Sequence, residues 1–286
     1  MINNYELAKL AFVMENHSKQ EKMEAFGRLL DIMDQVRVGC PWDRKQTFES
    51  LRPQTVEEVY ELSSAIMDGN HTEVSKELGD VLLHIVFYSR LGQEEGSFDI
   101  ADVCNRISDK LIYRHPHVFG DVIAETPEDV KRNWEMLKTK EKGGNKTVLE
   151  GTKGLPTLLK AYRMQDKARG VGFDWEQKEQ VWTKVEEELS EYKAEMAALD
   201  RAATPEEQKA AFEKAEQECG DFIFSIVNAA RLWGINPDTA LERTCEKFRR
   251  RFTYLEERTI RQGRDLHDMT LAEMDALWDE AKAAGL

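Results

Sequence analysis

Glu57-Glu58-Val59-Tyr60-Glu61, followed by Glu77-Leu78-Gly79-Asp80, returns later in the chain as Glu187-Glu188-Leu189-Ser190-Glu191, followed by Glu218-Cys219-Gly220-Asp221. The blocks from Glu77 to Leu91 and from Glu218 to Leu232 align without a gap and share seven of fifteen residues. Similarity of that length predicts an internal duplication. On a helix, Glu58/Glu61 and Glu77/Asp80 are i,i+3 pairs, and so are Glu188/Glu191 and Glu218/Asp221; both members of such a pair face the same way. Two helices of this kind, packed together, converge four carboxylates. That closeness requires a neutralising cation, and oxygen ligands alone select a hard ion, Mg²⁺ or Mn²⁺. The glycine before each aspartate reads as room for close helix approach. The expected clusters are Glu58, Glu61, Glu77 and Asp80 in front, and Glu188, Glu191, Glu218 and Asp221 behind.

Working outward, the 286 residues suffice for two medium-sized domains. A hydrophobic fraction of 41% supplies a core, while 33% charged residues with few prolines suit helices with solvated outer faces. The net charge of −14 argues against a nucleic-acid polymer or membrane surface as partner, since no basic stripe is available. A small phosphorylated ligand is still compatible with metals and a few local cations. Cys40, Cys104, Cys219 and Cys245 form neither CxxC nor zinc spacing and read as reduced thiols. The longest apolar stretch, around Val81 to Tyr88, is broken by His84 and too short to span a bilayer. With no signal-peptide pattern at the start, a cytoplasmic location is expected.

No stretch shows sustained strand alternation. Helices are expected near 54–68, 72–95, 100–114, 127–142, 157–169, 178–200, 205–233, 238–262 and 270–283. Thr126-Pro127, Thr204-Pro205 and Asn236-Pro237 each place a capping side chain before a first-turn proline. Val38 to Pro53 reads as an ordered loop, with Val171 to Trp175 as its counterpart. Residues 1–20 form an N-terminal extension, 21–142 a first domain, 143–156 a linker around Gly143-Gly144-Asn145, and 157–286 a second domain. The expected fold class is all-α: two tandem helical bundles, each holding an acidic cluster.

Each half adds cations in the same order. Lys110 and Arg114 precede Trp134 and Lys138; Lys247 and Arg251 precede Trp278 and Lys282. Such i,i+4 pairs beside a metal cluster suit a clamp on phosphate oxygens, with the indole as a stacking platform for a planar base. The halves differ at one telling place. Lys214 stands one turn before Glu218, where the front half has Glu73, a residue that would repel polyphosphate. His115 and His117, around Pro116, read as structural or interface residues.

The chain resembles the MazG family of nucleoside triphosphate pyrophosphohydrolases in its two-domain form. The residues that carry the resemblance are Gly39-Cys40-Pro41-Trp42-Asp43 with Gln46-Thr47, both acidic sets, Arg114-His115-Pro116-His117-Val118-Phe119, Val171-Gly172-Phe173-Asp174-Trp175, and Lys247-Phe248 with Arg251-Phe252. The resemblance covers about residues 21–284. It implies an all-α fold, Mg²⁺ dependence, a homodimer, and hydrolysis of NTPs or dNTPs to the monophosphate plus pyrophosphate, in a house-cleaning or alarmone-linked role. The residues fit that reaction. Glu188, Glu191, Glu218 and Asp221 are the expected metal ligands, and Glu187 or Glu188 the carboxylate that orients or deprotonates the attacking water. Lys214, Lys247, Arg251 and Lys282 are the expected charge neutralisers and Trp278 the base platform, with broad base tolerance. The front cluster is expected to be mainly structural. The competing readings are a narrower pyrophosphohydrolase for dUTP or phosphoribosyl-ATP and a non-catalytic metal-binding scaffold. A di-iron oxidase is disfavoured because neither cluster has Glu-x-x-His.

Overall fold

The computed structural model describes residues 17–126, 129, 130, 133, 134, 137, 147–261 and 263–286. Over these it is built from helices alone, so the all-α expectation holds. The chain divides into two compact units, the first ending at Val122 and the second beginning at Ile123. Most of the expected 127–142 helix, Lys138 and residues 143–146 lie outside the described residues. Among the described residues, no helix is long and apolar enough to cross a membrane.

In the first unit, α1 (Lys19–Gly39) starts from a reciprocal cap: Ser18 accepts from the Glu21 backbone, and the Glu21 carboxylate accepts from Ser18 N–H at 2.7 Å. A 3₁₀ turn (Asp43–Lys45) leads to α2 (Phe48–Met67), then α3 (His71–Glu94), α4 (Ile100–Arg114) and the single turn α5 (Pro116–Phe119). The reading of Val38 to Pro53 as loop is corrected here. Thr47 and Ser50 cap each other's backbone N–H, so α2 begins at Phe48 and carries Pro53 inside it. Proline's fixed φ suits a helix, and so near the N-terminus its missing N–H removes only one early bond. The core gathers Met33 from α1, Leu51 from α2, and Val86, Phe87 and Leu91 from α3.

In the second unit, α6 (Thr157–Gly170) is followed by a loop and a 3₁₀ turn (Lys178–Gln180). Then come α7 (Val181–Arg201), α8 (Pro205–Leu232), α9 (Pro237–Arg261), a 3₁₀ turn (Leu266–Asp268) and α10 (Leu271–Ala283). The proline signals at 205 and 237 mark real starts: Thr204 accepts from Glu207 N–H and Asn236 from Thr239 N–H. α8 packs mainly along α7 and also against α6, while α10 lies on α9. Val181, Ala215, Val227, Ala229, Leu255, Leu277 and Ala281 are buried between them.

α10 is fixed at its start by a charged cap. Glu273 accepts from Thr270 N–H at 2.8 Å and from Arg264 at 2.9 Å, and its carboxyl is held down at about 2, first by Arg264 and then by Thr270. A depressed carboxyl pKa means that the charged form supports the fold. The contribution is complete above the ordinary value of 4.5 and is lost as pH falls toward about 2. Glu273→Gln is therefore expected to lower the melting temperature by a few degrees at pH 7. The gap from wild type should close progressively below pH 4.5, as read by paired thermal melts across that range.

Candidate functional site

The second unit brings Glu188 of α7 together with Glu218 and Asp221 of α8. One carboxylate oxygen from each lies within 4.8 Å of the others. Glu188 is buried at 7% exposure, Glu218 half-buried and Asp221 exposed, so the cluster opens toward solvent through Asp221. Glu191 stands outside this group of three, although its charge still reaches Glu218. Desolvation, then the charges of Glu191, Asp221 and Glu188, push the Glu218 carboxyl above its usual value.

Lys184, which the sequence reading left out, grips this edge. Its ammonium lies 2.7 Å from Glu188 and 2.9 Å from Glu187, and hydrogen bonds to Glu188 and then Glu187 hold it well above its ordinary pKa. The signal was present in the spacing: Lys184 precedes Glu187 and Glu188 by three and four residues, the reach of helical ion pairs. Glu187 is exposed and outside the acidic group of three.

The first unit repeats the arrangement with Glu58 of α2 and Glu77 and Asp80 of α3, again within 4.8 Å, and again without its fourth expected member, Glu61. Glu77 is 4% exposed. Its Oε1 accepts from Lys76 at 2.9 Å, while Oε2 is buried with no hydrogen-bond partner. Burial, followed by Asp80, raises the Glu58 carboxyl. A buried carboxylate oxygen without a hydrogen-bond partner, within an all-carboxylate donor set, fits a hard divalent ion. The glycine expectation is corrected. A Cβ added at Gly79 or Gly220 would meet nothing within 4 Å, so neither glycine makes room for a neighbouring helix.

Of the residues expected to bind phosphate and base, Arg251 and Trp278 lie together. The Arg251 guanidinium lies 5.7 Å from the centre of the Trp278 ring, which also packs against Phe248 at 5.0 Å, and Arg251 Nε donates to the Leu286 backbone oxygen at 2.7 Å. Lys282 is drawn to Asp279 at 2.9 Å. Lys214 on α8 and Lys247 on α9 are exposed and, among the described residues, form no ion pair. The His115 and His117 rings lie 5.6 Å apart, but neither belongs to a metal-ligating group of three among the described residues.

The two motif loops are anchored by different arginines. In the first unit Arg37 donates to the Asp43 backbone oxygen and pairs with Glu94 at 2.8 Å. In the second, Arg231 of α8, 9% exposed, forks onto both oxygens of Asp174 at 3.0 and 2.5 Å. Burial alone would raise the Asp174 carboxyl, but these bonds outweigh it and hold it low.

Residues 46–119 match the family model of the MazG nucleotide pyrophosphohydrolase domain. A protein of Escherichia coli strain K12 named nucleoside triphosphate pyrophosphohydrolase is 40% identical over 268 residues, 91% of this chain and 98% of that protein. A Thermotoga maritima protein named nucleoside triphosphate pyrophosphohydrolase/pyrophosphatase MazG is 41% identical over 261 residues, 90% of this chain and 95% of its own length. The uncharacterized protein YabN of Bacillus subtilis is 42% identical over 98% of this chain, which spans 56% of it. With its acids grouped on paired helices and its sequence matched along nearly the whole length of such relatives, this chain belongs to the MazG family of nucleotide pyrophosphohydrolases.

Proposed function

We propose that this enzyme hydrolyses nucleoside triphosphates, ribo- or deoxyribo-, to the monophosphate and pyrophosphate, with Mg²⁺ as cofactor and Mn²⁺ as the next-best ion. The observation that carries this reading is the Glu188, Glu218 and Asp221 group, three carboxylates within 4.8 Å on two packed helices. Glu191, within electrostatic reach of Glu218, completes the ligand set. When bound, the ion supplies charge neutralisation at phosphate oxygens and Lewis acidity toward water. The domain at 157–286 is the catalytic one; that at 21–142 holds its cluster for structural ends, because Glu73 stands where Lys214 would be needed.

The protein's own part in the step is positioning and charge. Glu187 or Glu188, both held by Lys184, orients the attacking water or accepts its proton. The water oxygen bonds to the α-phosphorus, the bond from that phosphorus to the bridging oxygen breaks, and pyrophosphate departs with the electron pair. Lys214, Lys247, Arg251 and Lys282 neutralise the departing charge, and Trp278 belongs to this clamp as the ring over which Arg251 lies. A clamp on phosphates rather than on one base edge supports broad base tolerance and a role in clearing nucleotide pools. The exposed Trp182, Phe212, Phe224 and Trp233 support a homodimer.

Glu218→Ala and Asp221→Ala are each expected to lower kcat/KM by about three orders of magnitude while leaving the far-ultraviolet helical signal unchanged. Pyrophosphate release from a panel of NTPs and dNTPs measures this, and near-wild-type turnover in either variant refutes the assignment. Mg²⁺ is expected to raise the melting temperature of wild type, and to raise it less in Asp221→Ala.

The double variant Glu61→Ala with Asp80→Ala is expected to keep substantial turnover, whereas Glu191→Ala is not. A folded but inactive double variant would reverse the ranking of the two halves. For the dimer, light scattering at micromolar concentration is expected to return about twice 33.0 kDa; a monomer mass counts against it.

A further inference from the structure

Each acidic group has one buried member, and the two repeats bury it on different helices. In the second unit the buried acid is Glu188 of α7, while Glu218 and Asp221 of α8 are more open. In the first unit it is Glu77 of α3, while Glu58 of α2 and Asp80 are half-buried. A lysine follows the buried acid in both cases. Lys184 of α7 lies 2.7 Å from Glu188, and Lys76 of α3 lies 2.9 Å from Glu77. The aligned repeats show the exchange directly. Where α7 has Lys184, α2 has Gln54; where α3 has Lys76, α8 has Gln217. The cation has moved from one helix to the other, and an uncharged residue stands in the place opposite. Ordinary surface ion pairs have no reason to track burial in this way. A buried carboxylate does, because it bears the largest cost of ionisation.

We infer that Lys184 and Lys76 are built-in stand-ins for the metal ion: each neutralises the most buried acid of its cluster while no divalent ion is bound, and gives way when one arrives. The inference rests on the metal-dependent reading above. Each ammonium meets its acid from a side chain that is partly in solvent, 40% exposed for Lys184 and 63% for Lys76. A flexible stem lets either swing clear without moving a helix. Lys76 also occupies one oxygen of Glu77 only, for Oε2 has no hydrogen-bond partner. The lysine has two consequences. An empty cluster keeps its shape, since the acid that most needs a counter-charge has one. A bound ion is held less tightly than three bare carboxylates would hold it, since ammonium and ion repel.

The test uses Asp80→Ala as the parent protein, so that ion binding reports on the second unit. Mn²⁺ is the probe, counted by electron paramagnetic resonance, and thermal melts are taken in chelator and in saturating Mn²⁺. Lys184→Gln, which installs the front-half residue, is expected to bind Mn²⁺ about fivefold more tightly than the parent. It is expected to melt a few degrees lower in chelator and to recover most of that deficit in Mn²⁺. Adding Gln217→Lys returns the charge from the other helix, and should bring the affinity back to within about twofold of the parent. Loss of packing at Lys184 would not be repaired from α8. The inference is overturned if Lys184→Gln binds Mn²⁺ no more tightly than the parent, or if its melting deficit is the same with and without the ion. It is also overturned if Gln217→Lys leaves the affinity unchanged, or if the parent binds no Mn²⁺. None of these readouts needs a nucleotide, so failure to hydrolyse any triphosphate overturns the triphosphate reading alone.

Discussion

Repulsion among carboxylates is the constraint around which both halves of this protein are arranged. Helices α7 and α8 pack so that Glu188, Glu218 and Asp221 share a space of 4.8 Å, and α2 with α3 does the same for Glu58, Glu77 and Asp80. Like charges this close resist ionisation, as the raised carboxyls of Glu218 and Glu58 record. In each half the most buried acid is met by one lysine, Lys184 at Glu188 and Lys76 at Glu77. One monovalent partner does not neutralise three acids. The residual charge is what the divalent cation proposed for the site would offset.

The helical architecture was legible because its signals are local. Capping side chains, first-turn prolines and 3.6-residue periodicity placed most boundaries within a few residues, as at Ile100–Arg114 and Pro205–Leu232. The start of α2 was misread for an equally local reason. The run from Gly39 to Thr47 breaks the helical pattern and extends the loop reading to Pro53, while the Thr47–Ser50 cap that starts the helix spells a weaker pattern than Thr204-Pro205. The acids were found by repetition, which spacing shows directly. Spacing did not show which three of four converge: Glu61 and Glu191 sit on the right helices, and only the packing of one helix on another decides which carboxylates meet. The Asp174–Arg231 pair was hidden for the same reason, being separated by 57 residues.

The two halves use a common scaffold with different local charge. On α8, Lys214 stands a turn ahead of Glu218 and forms no ion pair among the described residues. On α3 the same place is Glu73, which lies 3.8 Å from Lys76 and shares that cation with Glu77. The helix bearing two of the acids thus adds a cation one turn ahead of the cluster in the back half and an acid in the front half. A cation would be welcome there, and a polyphosphate would not. The proposal that the triphosphate chemistry belongs to the second half rests on that electrostatic difference.

The motif loops show how conserved spacing within one chain can hide divergent support. Trp42-Asp43 is tied through its backbone to Arg37 on the preceding helix, leaving the Asp43 carboxylate out of the anchor. Asp174-Trp175 is tied through its carboxylate to Arg231, 5% exposed at its side chain, on a helix that also bears two metal-ligand candidates. The second arrangement couples the loop to the cluster: α8 carries Glu218 and Asp221 at one stretch and Arg231 ten residues beyond Asp221. Anything that shifts α8 along its axis moves acids and loop together. The front loop is linked less directly: Arg37 of α1 holds the Asp43 backbone and reaches α3, the helix of Glu77 and Asp80, through Glu94 at 2.8 Å.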